Sequence, residues 1–198
     1  MTRANLVVGD GFEIRVLIRP AAEGTKPMTE GLLLPPGAGR PIAGSGMTLK
    51  VGADETPTWS MFETVVLPGF DVGAHFHHHA EELFYILDGE LDLLAFRPRA
   101  GSPTAAGDWR GWESDDGAKV LRGGPGSSMF VPAGVPHAFF NPGPAPARML
   151  FLVTPAGHEV YLQELADLIG GGRPDQAAIA ELRARHDIQQ LTPLTPRA

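Results

Sequence analysis

Between residues 47 and 153, the chain alternates short apolar segments with turn signals made of Gly, Pro, Asn and Asp. Proline fixes φ and glycine tolerates positive φ, so each signal has a physical reason to reverse the chain. Short segments rich in β-branched and aromatic residues, without intervening helical periods, are typical of antiparallel strands in a sandwich or barrel. The predicted strands are Met47–Val51, Trp59–Leu67, Glu82–Leu87, Glu90–Phe96, Lys119–Leu121, Ser128–Val131, His137–Asn141 and Arg148–Val153.

The two ends of the chain depart from this pattern. Residues 5–18 are typical of a β-hairpin, and residues 20–46, rich in Pro, Gly and Ala, predict a surface arm with a short strand near Leu32–Leu34. Apolar residues at helical spacing predict helices over Glu159–Ile169 and Asp175–His186, packed on the outside of the barrel. The sequence therefore predicts three parts, which are N-terminal strands and arm (1–46), barrel (47–155) and helical tail (156–198).

Composition limits the functional classes open to this chain. A chain of 198 residues is long enough for one domain with its own core. The net charge of -7 and the lack of any Lys/Arg cluster argue against a nucleic-acid partner. The absence of cysteine excludes disulfides, a thiolate metal site and a cysteine nucleophile. No apolar run reaches membrane-spanning length and no signal peptide precedes the first strand, so we expect a cytoplasmic protein without a membrane partner.

A polar segment at residues 97–126 interrupts the series of strands. Loops of this length are uncommon in compact domains unless they form a lid or a mobile excursion. Trp109 and Trp112 lie within the segment. They either cover the mouth of a pocket or pack the segment onto the barrel, and the sequence favours neither arrangement.

Five of the seven histidines lie in two places, four of them within residues 75–79 and the fifth at His137. Imidazole and carboxylate are the usual protein ligands of divalent transition metals. His75 and His77 are two residues apart, so on a strand they face the same side. Glu82 opens the next strand, and antiparallel pairing of that strand with the first would bring it beside both histidines. If the strand that begins at His137 faces inward there, the set has three histidines and one carboxylate.

The other four histidines lie outside this set of ligands. His79 would replace His77 or line the pocket if the strand ran further. The spacing favours a position in a loop or at the rim for both His78 and His79. His158 and His186 lie in the helical tail, where we expect them at the surface.

The spacing of these residues resembles the two sequence motifs of the cupin family. The first motif is matched by Gly69-(x)5-His75-x-His77-(x)4-Glu82-(x)6-Gly89. The second motif is matched by Gly126-(x)5-Pro132-x-Gly134-(x)2-His137-(x)3-Asn141. The motifs cover residues 69–141, and the flanking strands extend the resemblance to roughly 47–155. The long segment between the motifs is a departure from the family pattern and leaves the pocket mouth undefined.

This resemblance implies a fold and a metal centre. The fold is an all-β double-stranded β-helix, the jelly-roll barrel of cupins, here with an N-terminal arm and two C-terminal helices. The metal would lie near the barrel centre as one divalent transition ion, Fe, Mn, Ni, Co, Cu or Zn. Four protein ligands leave up to two positions open for substrate, water or dioxygen. The implied ligands are His75, His77, Glu82 and His137, with Glu82 also the candidate general base.

Among cupins, the layout is most similar to the single-domain quercetin-dioxygenase-like group. That similarity implies metal-dependent oxygenation of an aromatic or enol-type small molecule bound in the barrel. Two alternatives remain, because one barrel hosts many activities: a non-catalytic ligand-binding or sensory cupin, and a non-redox isomerase or decarboxylase. The family resemblance also implies a homodimer, formed through barrel edges or through residues 1–46.

Overall fold

The computed structural model of the protein describes residues 4–8, 12–16, 31–42, 44–101, 108–170 and 175–194. Short strands dominate it, and two helices follow them near the C-terminus. The first strands are β1 (Ala4–Val8), β2 (Phe12–Val16), β3 (Arg40–Ile42), β4 (Met47–Val51), β5 (Ser60–Val66), β6 (His75–His77) and β7 (Glu81–Asp88). The remaining strands are β8 (Leu91–Ala95), β9 (Leu121–Gly123), β10 (Ser128–Val131), β11 (His137–Phe140), β12 (Ala147–Thr154) and β13 (Ile188–Gln190).

Two antiparallel sheets form the barrel. A six-stranded sheet has the order β10-β7-β12-β5-β4-β3, and a five-stranded sheet has the order β13-β6-β11-β8-β9. Strands β1 and β2 pair antiparallel as a separate hairpin, which confirms the predicted one. The predicted double-stranded β-helix is therefore confirmed.

Alternation of buried and more exposed residues along the strands places the core between the two sheets. In β5 every second residue is buried, as expected for a strand with one face inward. Phe62 of β5 and Phe151 of β12 stack with ring centroids 4.7 Å apart. Each ring fully removed from water contributes about 1.5–3 kcal/mol to folding. The inward faces of both sheets thus supply one continuous hydrophobic core.

Most predicted strands agree with the structure. Met47–Val51 and Ser128–Val131 match, and several others differ by one or two residues at their ends, where assignments commonly vary. The strand predicted at Lys119–Leu121 is displaced to Leu121–Gly123. The strand predicted near Leu32–Leu34 is wrong, because these residues belong to no strand and Leu33 is 91% exposed.

Two strands of the barrel have no counterpart among the predicted ones. Strand β3 pairs with β4 and lies in the segment assigned to the N-terminal arm. Strand β13 follows the second helix and pairs with β6, with Ile188 opposite His77. The division of the chain into arm, barrel and tail remains a prediction.

The long polar segment packs against the barrel through its two tryptophans. Residues 102–107 lie outside the described part of the chain. A short 3-10 helix at Trp109–Gly111 follows, and the indole N–H of Trp109 donates to Asp71 Oδ1 at 2.9 Å. Trp109 and Trp112 are buried in a second hydrophobic cluster that includes Ala74, Leu94 and Ala138. The structure therefore supports the packing arrangement, not the pocket cover.

The two C-terminal helices are α1 (His158–Gly170) and α2 (Gln176–Arg185), within one residue of their predicted ends. The side chain of Asp175 caps α2 by accepting the backbone N–H of Ala177 at 3.0 Å. Their predicted position is only partly right, because Tyr161 and Leu162 of α1 join the main core between the sheets. No helix in the described ranges is long and apolar enough to cross a membrane.

Candidate metal centre

The structure brings together the four predicted ligands. One donor atom from each of His75, His77, Glu82 and His137 lies within 4.8 Å of the others, and all four side chains are buried. His75 and His137 are direct partners on β6 and β11, with ring centroids 4.3 Å apart. The inward face of the five-stranded sheet therefore carries all three imidazoles.

Glu82 reaches the histidines by a different route from the predicted one. Its strand, β7, pairs with β10 and β12 in the six-stranded sheet and not with β6. The chain crosses from one sheet to the other between His77 and Glu81, so the predicted hairpin is wrong. The carboxylate faces the imidazoles across the barrel interior, and the candidate centre links the two sheets.

Backbone carbonyls fix the orientation of two imidazoles. Nδ1 of His75 lies 2.8 Å from the carbonyl oxygen of Gly73, and Nδ1 of His137 lies 3.2 Å from that of Val135. A carbonyl only accepts, so in both rings Nδ1 carries the proton and donates it. A neutral ring held in this way presents Nε2 as the donor atom for a metal, as in histidines that ligate metals elsewhere.

The buried donor atoms fit a metal ion better than they fit one another. Nε2 of His77 lies 3.3 Å from one oxygen of Glu82, and Nε2 of His137 lies 2.8 Å from the other. Despite these distances, neither nitrogen meets hydrogen-bond geometry with any residue that the structure describes. A buried unpaired polar atom costs about 1–3 kcal/mol. A divalent transition metal between the four donors would remove this cost for both nitrogens.

Glu82 and His75 have the ionisation of metal ligands; burial lowers the pKa of His77, but the nearby Glu82 carboxylate prevails and raises it. Burial raises the pKa of Glu82, but the opposing effect of His77 and His137 prevails and holds it well below its ordinary value. Burial, with the nearby His137 and His77, holds the pKa of His75 well below its ordinary value. Glu82 is therefore ionised and His75 neutral near pH 7, the forms that bind metals.

The candidate centre forms part of the wall of a cavity of about 80 Å³. The wall includes His75 and Glu82, while three further polar residues come from the helical tail: His158, Tyr161 and Arg183. The rest is apolar and includes Phe84 and Phe139. The other apolar residues are Met47, Phe70, Val72, Phe151, Leu162, Leu165, Ile188 and Leu194. The arrangement presents metal donors to a small, mostly apolar space.

A second apolar cavity of about 350 Å³ lies next to the first. It extends along β5 and α1 and is lined mostly by aliphatic side chains. The residues shared by both cavities are Met47, Phe70, Leu162, Leu165 and Leu194. These residues thus separate the candidate centre from a larger apolar space.

His158 is not at the surface, contrary to expectation. Its ring is half-buried at the start of α1, with its centroid 5.8 Å from that of His77 and 5.2 Å from that of Tyr161. Burial lowers its pKa to about 4, so the imidazole is neutral at pH 7. The prediction failed because the helical spacing of α1 does not show which end of the helix meets the barrel. His186 is also partly buried, with Nε2 3.2 Å from Glu164.

His78 and His79 lie outside the candidate centre, as predicted. Both side chains are exposed. Asp187 accepts the backbone N–H of His79 at 2.9 Å, and its other carboxylate oxygen lies 3.3 Å from Nδ1 of that residue. These two histidines therefore occupy the connection between β6 and β7.

Nothing in the sequence indicated Tyr161 and Arg183. Arg183 lies on α2 and is only 3% exposed, and its Nε–H donates to the hydroxyl oxygen of Tyr161 at 3.1 Å. Burial raises the pKa of Tyr161 above its ordinary value, so its hydroxyl stays protonated at neutral pH. No spacing relates these residues to the metal motifs, since only the docking of the helices brings them to the cavity.

Comparison with known proteins agrees with this architecture. Residues 49–167, more than half of the chain, match the family model described as Cupin. No curated protein sequence matches the chain.

Similar solved structures include three proteins with 18–22% identity. One is an uncharacterised protein with a double-stranded β-helix domain from Klebsiella pneumoniae (18% identity, TM-score 0.41, 60% of this chain and 84% of that one). Another is a sugar phosphate isomerase of the cupin superfamily from Silicibacter pomeroyi (22% identity, TM-score 0.39, 55% of this chain and 59% of that one). The third is a mutant oxalate decarboxylase from Bacillus subtilis (18% identity, TM-score 0.42, 56% of this chain and 26% of that one). At these values the likeness concerns the fold alone.

Proposed function

We propose that this chain, which belongs to the cupin family, binds one divalent transition metal and oxygenates a small enol-type or aromatic molecule. The observation that carries the proposal is that four metal donors converge and that two of them, His75 and Glu82, line a largely apolar cavity. A metal held only for structure has its coordination filled by protein, whereas a catalytic metal keeps positions open to a substrate. The same proposal includes the finer assignment to the quercetin-dioxygenase-like group, supported by the likeness of both motif segments and the helical tail.

The residues of the chain have distinct parts in this chemistry. When bound, the ion supplies Lewis acidity toward a substrate oxygen and, if it is redox-active, electron exchange with dioxygen. Glu82 is ionised, so its carboxylate accepts the proton of an enolisable substrate that comes within hydrogen-bond reach. Phe84 and Phe139 exclude water from the reacting groups. The cavity of about 80 Å³ favours a compact enol over a flavonol.

A second candidate is a non-redox isomerase or decarboxylase. The observation that favours it is that His158 and Tyr161 line the same cavity as Glu82. At neutral pH a neutral imidazole accepts a proton and a protonated phenol donates one. Proton transfer by these groups requires no dioxygen, so the two candidates differ in a measurable way.

Metal identity and oxygen consumption test the proposal. Bound metals are measured by mass spectrometry on the purified protein, which is then depleted and reloaded separately with Fe(II), Mn(II), Ni(II), Co(II), Cu(II) and Zn(II). Oxygen uptake is followed with small enolisable acids and with flavonols. We expect uptake with at least one redox-active ion and none with Zn(II). Turnover with Zn(II) and without oxygen uptake would support the second candidate, and saturable binding without turnover by any form would indicate a ligand-binding cupin.

A further inference from the structure

Arg183 is a buried cation without a counter-ion among the residues that the structure describes. Its side chain is removed from water, with 3% of the residue exposed. Within the described ranges, the Tyr161 hydroxyl is its hydrogen-bond acceptor, and no carboxylate lies within 4 Å of the guanidinium. Buried charges are normally paired, because an unpaired one loses its hydration without compensation. The two terminal amino groups of Arg183 are therefore available to an anion from outside the chain.

The cavity gives this cation direct access to a ligand. Arg183 forms part of the same wall as His75 and Glu82, so a molecule in the cavity meets both the metal donors and the guanidinium. A divalent ion, one ligand carboxylate and Arg183 would together bring two net positive charges to a mostly apolar space. Such a space favours an anionic occupant over a neutral one of the same size.

The size of the cavity limits that occupant. A single water needs about 10–15 Å³ on this scale, so a cavity of about 80 Å³ holds roughly five to eight non-hydrogen atoms. A guanidinium presents parallel N–H donors whose geometry matches the two oxygens of a carboxylate. The Tyr161 hydroxyl accepts a hydrogen bond from Nε of Arg183, which leaves the two terminal amino groups of the guanidinium free to contact a carboxylate.

We propose that Arg183 binds the carboxylate of the substrate, and that the substrate is a small enolisable carboxylic acid held between this guanidinium and the metal. The inference rests on the proposed function, which supplies the metal end of the molecule. Tyr161 is a positioning residue for Arg183, because its hydroxyl oxygen accepts the Nε–H and so orients the guanidinium. The carboxylate supplies the counter-charge that Arg183 lacks within the described chain.

Ligand binding by the metal-loaded protein tests this assignment. Protein loaded with Zn(II) is titrated by calorimetry with pyruvate and with pyruvamide, its neutral analogue of the same shape. We expect pyruvate to bind the wild type, and pyruvamide to bind it at least about 30-fold more weakly. Pyruvate should also bind the Arg183→Gln variant at least about 30-fold more weakly than it binds the wild type. Tyr161→Phe should weaken pyruvate binding by about 3- to 10-fold. The matched control is Arg185→Gln, two residues along the same helix, where the side chain is exposed and paired with Glu164.

The thermal stability of the ligand-free variants separates a binding role from a structural one. Because Arg183→Gln removes an uncompensated buried charge, we expect its melting temperature to equal or exceed that of the wild type. A lower melting temperature together with unchanged pyruvate affinity would overturn the proposal, as would equal binding of pyruvate and pyruvamide by the wild type. Arg183-dependent binding without turnover by any metal form would instead contradict the proposed function and leave this assignment standing.

Discussion

Glu82 and His77 hold the candidate centre from opposite sheets, so each is expected to be indispensable for metal binding. Glu82 is the single acidic donor of the set, and Nε2 of His77 has no hydrogen-bond partner in the described structure. We expect Glu82→Gln and His77→Ala to retain less than about a tenth of the bound metal, since even residues that only support metal ligands contribute 10- to 100-fold. Metal content by mass spectrometry, with circular dichroism for the fold, measures this.

The control for that experiment is His79→Ala. His79 belongs to the same histidine run but is exposed and directed at Asp187, so its loss should leave metal content unchanged. Full occupancy in both Glu82→Gln and His77→Ala would contradict the ligand assignment. Loss of metal in His79→Ala would show that His79, too, contributes to metal binding.

The ligands and the substrate-facing residues differ in how far the sequence reveals them. His75, His77, Glu82 and His137 are predictable because their spacing along short strands is itself a signal. The sheet to which Glu82 belongs is not predictable in this way, because strand pairing depends on residues far apart in the sequence. Arg183 reaches the cavity only through the docking of a helix, so nothing in its local sequence marks it.

At the scale of elements, the difference between local sequence signals and tertiary contacts explains which strands were predicted. Strand β5 has seven residues, long enough for its β-branched and aromatic content to predict a strand. Strands β3 and β13 have three residues each, too few to show any period. They are strands because a neighbour pairs with them, which is a property of tertiary structure.

One buried carboxylate at the first turn of helix α1 links the helix to the barrel. Glu159 accepts the backbone N–H of Ala53 at 2.7 Å and the Ser60 hydroxyl at 2.6 Å, and its charge also complements the helix dipole. Burial raises the pKa of Glu159, but these hydrogen bonds prevail and hold it below its ordinary value of 4.5. The carboxylate therefore contributes stability above pH 4.5, and that contribution is lost as pH falls through the lower pKa of the folded state.

We expect Glu159→Gln to lower the free energy of unfolding at pH 7 by about 1–3 kcal/mol, because an amide cannot satisfy all the donors that face the carboxylate. The variant should also lose less of its stability than the wild type between pH 7 and pH 4. Urea unfolding followed by circular dichroism at both pH values measures the two effects. Glu164→Gln, on the exposed part of the same helix, is the control and should change stability at pH 7 less. Parallel pH profiles for wild type and Glu159→Gln would contradict this account of the helix.

At the scale of the whole molecule, the outer face of the six-stranded sheet carries an apolar surface. Phe130 on the edge strand β10 lies opposite Leu83 on β7, which lies opposite Leu152 on β12. Tyr85 and Leu150 form the next row. Phe130 is 57% exposed and Tyr85 43% exposed, whereas a solvent-facing strand surface is normally polar. A contiguous apolar surface of this kind is typical of a protein interface.

The homodimer implied by the family resemblance remains a proposal, and this surface is the place we assign to it. An edge strand with apolar side chains beside it can meet its own copy about a two-fold axis, which buries both surfaces and covers the edge. We expect the wild type to have twice the mass of one chain by size-exclusion chromatography with light scattering, and Phe130→Ser to be monomeric at micromolar concentrations. Leu121→Ser is the matched control, because Leu121 is 71% exposed on β9 at the edge of the other sheet. A monomeric wild type, or a dimer dissociated by Leu121→Ser and not by Phe130→Ser, would contradict this interface.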